Sequence, residues 1–70
     1  MIPLTFAETG AENMVKKVGG NPETRRFLEE LGFVAGSTVT VVNTMSGNVI
    51  VSIKDSRIAI SEEMAAKIMI

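Results

Sequence analysis

Fifteen side chains in this 70-residue sequence carry formal charge, eight acidic and seven basic, and neither histidine nor cysteine occurs. Their absence removes Ser–His and Cys nucleophiles, thiolate metal sites, disulfides and a histidine pH switch. What remains for catalysis is carboxylate chemistry, and the spacing is wrong for it. Glu29-Glu30 and Glu62-Glu63 are adjacent pairs on helix-like stretches, where neighbouring side chains diverge instead of sharing a substrate proton. No EF-hand spacing is present among the acids, and transition metals in protein cages favour His or Cys. Gly19-Gly20 precedes a helix start but lacks the spacing and the lysine of a phosphate-binding loop. The expectation is therefore no catalytic residue, no cofactor and no metal site: a protein that recognises and is not an enzyme. The candidate recognition residues are Arg25, Arg26 and Glu29, with Phe33 and Met45 as apolar anchors.

These residues need a mount, and residues 21–36 supply the clearest one. Asn21 is a good helix cap, Pro22 at the first position lacks an N–H that would be orphaned anyway, and Glu23 suits the positive end of the dipole. Thr24, Phe27, Leu28 and Leu31 recur at helical spacing and predict an inner face, which leaves Arg25, Arg26, Glu29 and Glu30 outside. Gly32 ends the helix and Gly36 makes the next turn.

The flanking sequence is β in character. Residues 2–6 alternate loosely around Pro3 and predict an edge strand, and residues 13–18 predict a second strand with a bulge, protected by Lys16 and Lys17. Residues 38–44 form the clearest strand, with Val39 and Val41 on one face. Met45-Ser46-Gly47 makes a connection of hairpin length to residues 48–54, and Asp55-Ser56 turns into residues 57–60. Ser61 caps a short helical turn. Residues 68–70 are a closing strand that pairs with the first or second strand, and Met14, Met64 and Met69 fill gaps in the core. The fold expected is mostly β: one SH3-like barrel over residues 1–70, of five to six antiparallel strands, with one helix inserted after the second strand and a short C-terminal helical turn.

Seventy residues allow a single small core, and the 46% apolar content with almost no aromatic residues fits it. A net charge of −1 argues against a surface built for nucleic acid or anionic lipid. No apolar run approaches a membrane span and no signal peptide is visible, so the expected compartment is the cytoplasm.

Leu28-Glu29-Glu30-Leu31-Gly32-Phe33-Val34-Ala35-Gly36-Ser37-Thr38-Val39 resembles the Leu-x-x-Leu-Gly-hydrophobic-x-x-Gly-x-x-hydrophobic core of the ferrous iron transport protein A (FeoA-type) family. Gly47-Asn48-Val49-Ile50 and the stretch from Ala59-Ile60 to Ile70 match in order and spacing. Ala35 and Val49 stand where prolines are frequent in that family, which alters turn rigidity. The resemblance implies a cytosolic SH3-like barrel that works with ferrous iron transport protein B, a membrane transporter with a cytoplasmic G-protein domain. An alternative is a stand-alone barrel that binds a metal ion or another ligand, related to the C-terminal domain of iron-dependent repressors.

Overall fold

The computed structural model describes all residues, Met1–Ile70. Its strands are β1 (Glu12–Met14), β2 (Lys17–Val18), β3 (Thr38–Met45), β4 (Asn48–Ile53), β5 (Ser56–Ser61) and β6 (Ile68–Met69), with helix α1 (Pro22–Glu30) after β2 and α2 (Glu62–Ala65) before β6. A four-stranded antiparallel sheet runs β1-β3-β4-β5, and β2 pairs with β6 in a separate ribbon. This is the expected mostly β architecture, with the helix after the second strand.

The meander β3-β4-β5 follows from strict alternation. Val39, Val41, Val49, Val51, Ile53 and Ile60 are buried on one face, while Thr38, Asn48, Arg57 and Ala59 stay exposed. The register shifts between Val41 and Asn43, so Val42 is a bulge residue that bends the strand. The first turn is one residue tighter than the sequence suggests, and the second is shifted by one residue. Met45 belongs to β3 opposite Asn48, which leaves Ser46-Gly47 as a two-residue turn with φ of 50° and 80°. Positive φ at both central positions matches the twist of a hairpin, and glycine takes it at no steric cost. The next turn is Lys54-Asp55, with Ser56 already paired to Ile53.

The two ends of the chain close the barrel. The expected strand over residues 2–6 is instead a single bridge, Pro3 to Met69, followed by a 3₁₀ turn at Leu4–Phe6. Ile2 and Ile70 exchange both backbone hydrogen bonds at 2.9 and 2.8 Å, and Pro3, without an N–H, cannot extend the ladder. The chain turns inward there and buries Leu4. The expected strand over residues 13–18 is split, because the Val15 N–H donates to Ser37 while the Lys16 N–H donates to Met69. One segment thus serves two sheets. Met14 is exposed, not a core filler; Val15 takes the core position beside it. Met64 and Met69 are half-buried.

Candidate functional site

Helix α1 is held at both ends. The Thr24 N–H donates to Asn21 Oδ1 at 2.8 Å and satisfies one orphan amide of the first turn. At the other end the Gly32 N–H donates to the Glu29 carbonyl and the Phe33 N–H to the Leu28 carbonyl, both at 3.0 Å, with Gly32 at φ 110°. This pair of bonds is the Schellman arrangement, in which the residue after the glycine folds back to touch the last turn. Phe33 is that residue, and it is 0% exposed.

Phe33 is therefore a core residue and not a docking anchor. Its burial corrects the sequence expectation, and the signal was available: a glycine at the helix end places the next apolar residue inward. Phe27 makes the complementary correction. Expected on the inner face, it is 48% exposed, because Leu28 at the centre of the stripe takes the core position and Phe27 falls on its flank.

Arg25, Arg26, Glu29 and Glu30 are exposed on the outer side of α1. Opposite charges four residues apart on a helix stabilise it by only about 0.2–0.5 kcal/mol, and less with the base N-terminal to the acid. Such pairing leaves the guanidinium forks available to carboxylates of a partner. The helix packs on β2, and the β2–β6 ribbon adds further bases. Val18 and Ile68 point inward, so Lys17 and Lys67 share the outer face with Gly19, whose N–H donates to the Lys67 carbonyl at 2.7 Å. The stem of Lys67 crosses Gly20 so closely that a Cβ there would lie 2.9 Å from its Cδ. Lys16 precedes β2, and Lys54 lies against the C-terminal end of α1, its Cε 3.6 Å from a Cβ built on Gly32.

Met45 is 59% exposed but lies elsewhere. It closes β3 at the hairpin turn, roughly 23 Å along the strand from Thr38 at 3.3 Å per residue. The expected site residues thus divide: Arg25, Arg26 and Glu29 come together on α1, Met45 sits at the far end of the sheet, and Phe33 is internal. No three carboxylates converge, and no buried polar side-chain atom lacks a hydrogen-bond partner. No helix is long and apolar enough to cross a membrane.

The FeoA domain model matches residues 2–70. A Methanocaldococcus jannaschii protein provisionally named Fe(2+) transport protein A is 40% identical over 70 residues, which is all of this chain and 85% of that protein. The crystal structure of an iron uptake regulatory protein (FeoA) superposes with a TM-score of 0.86 at 28% identity, covering 96% of this chain and 89% of the other. The zinc complex of Stenotrophomonas maltophilia FeoA, described as a prokaryotic SH3 domain protein, gives a TM-score of 0.86 at 24% identity over 99% of this chain and 88% of that one. An SH3-like barrel of this topology, matched by the domain model along nearly its whole length, places the chain in the FeoA family of ferrous iron transport proteins.

Proposed function

We propose that this protein is a cytoplasmic, non-catalytic accessory module of ferrous iron uptake that binds the cytoplasmic part of the membrane transporter, ferrous iron transport protein B. The observation that carries this reading is the match to the FeoA domain over residues 2–70. The S. maltophilia relative has itself been put forward as a ferrous iron transport activating factor. Docking uses the outer face of α1, where Arg25 and Arg26 meet acidic groups of the transporter and Glu29 sets the register; Met45 contributes a second, apolar contact from the hairpin.

Binding changes the transporter only if the module prefers one of its conformational or nucleotide states, since equal affinity for both shifts nothing. The test is co-purification from native lysate, with and without guanine nucleotide. Recovery of the transporter that differs between the two conditions is the expected result. Failure to recover it in either condition contradicts the proposal.

A further inference from the structure

A cleft of about 210 Å³ lies between the 3₁₀ turn, β3, β4 and α2. Its floor is apolar: Leu4, Ala7, Val41 and Val49, three of them core residues. The exposed Thr5, Thr9 and Thr44 complete the lining with Glu62, its one charged residue. The walls are tied together through the backbone. The Glu62 N–H donates to the Gly47 carbonyl at 3.1 Å, and α2, capped by Ser61, packs on the 3₁₀ turn.

Size and charge restrict what fits. Cofactor and drug-sized sites run from about 300 to 1,000 Å³, whereas an apolar cavity of roughly 150 Å³ already holds a benzene ring. The cleft matches one large apolar side chain. Its lining holds one acid, Glu62, and no base, and Glu8 and Glu63 adjoin lining residues in the sequence. A single carboxylate beside an apolar floor favours an apolar side chain with a base next to it.

We propose that this cleft is a second docking site, which takes one bulky aliphatic or aromatic side chain from a partner protein segment while a neighbouring Lys or Arg of that segment pairs with Glu62. The site has the opposite charge preference to α1. It stands independently of the transporter assignment, because its test needs no transporter.

The test is titration of the ¹⁵N-labelled full chain with a blocked pentapeptide, Lys-Ser-Leu-Ser-Lys, and with controls in which leucine becomes glycine or both lysines become glutamate. The expected shifts are confined to residues 4–9, 41–44, 49 and 62. Affinity should drop at least fivefold in each control. Ala7→Leu should abolish binding by filling the floor, with amide dispersion reporting whether it folds. Glu62→Gln, at an exposed position, should weaken the lysine peptide several-fold and leave the glutamate peptide no weaker. Shifts elsewhere, or equal affinity for the leucine and glycine peptides, overturn the proposal. Equal affinity for the lysine and glutamate peptides overturns its charge assignment, and cleft signals that move with protein concentration alone assign the site to a second copy and overturn it too.

Discussion

Two sides of this barrel offer different recognition chemistry. The α1 and β2–β6 side presents exposed arginines and lysines interspersed with Glu23, Glu29 and Glu30, with Leu28 and Phe33 buried beneath. The side formed by the 3₁₀ turn, β3, β4 and α2 presents a recess lined by core residues, three threonines and one acid, Glu62. Charged rim contacts mainly set association rate and orientation, while apolar anchors set how long a complex lasts. A domain with one small core can carry both because β6 pairs with β2 beside α1 and also bridges Pro3, just before the 3₁₀ turn that lines the cleft.

The contrast depends on α1 being a rigid mount fixed by buried apolar side chains. Phe33→Ala should cost about 3–5 kcal/mol by removing a fully enclosed ring, a large share of the stability of a domain this size. Denaturant unfolding measures it, with Phe27→Ala as the matched control at a half-exposed position and a much smaller expected loss. Equal costs would mean that the two rings are not divided between core and surface. Gly32→Ala should cost about 1–3 kcal/mol. Space is not the reason, since the nearest atom to an added Cβ is Lys54 Cε at 3.6 Å; the cost is the backbone, at φ 110°. Asn21→Ala should cost about 1 kcal/mol through the lost cap, and the measurement is the same.

The sequence revealed those parts of the fold that local physics determines. Asn21-Pro22 and Gly32 bracket α1, and alternating inward positions, Val39 and Val41 then Val49, Val51 and Ile53, write β3 and β4 within a residue of their observed bounds. The closure was harder to read. Two-residue strands and the pairing of Ile2 with Ile70 carry almost no periodic signal, so residues 2–6 resembled a strand although a bridge and a 3₁₀ turn form there. The choice between Phe27 and Phe33 turned on rotation of the helix by a fraction of a turn and on the fold-back after Gly32. Helical spacing favoured the first, and only the Schellman geometry decides for the second. The arginine face was visible from the helical period alone. The cleft was not, because it joins a turn, two strands and a helix that are distant in sequence.

The central claim is that the arginine face of α1 docks on the iron transporter. Its most direct test is titration of the purified cytoplasmic domain of that transporter with the wild-type chain and with the R25E/R26E double variant, at low and at high salt. Affinity should fall at least tenfold in the variant, the salt dependence should flatten, and the unfolding temperature of the free protein should stay within a few degrees of wild type. An unchanged affinity in a folded variant would contradict the claim and remove Arg25 and Arg26 from the interface.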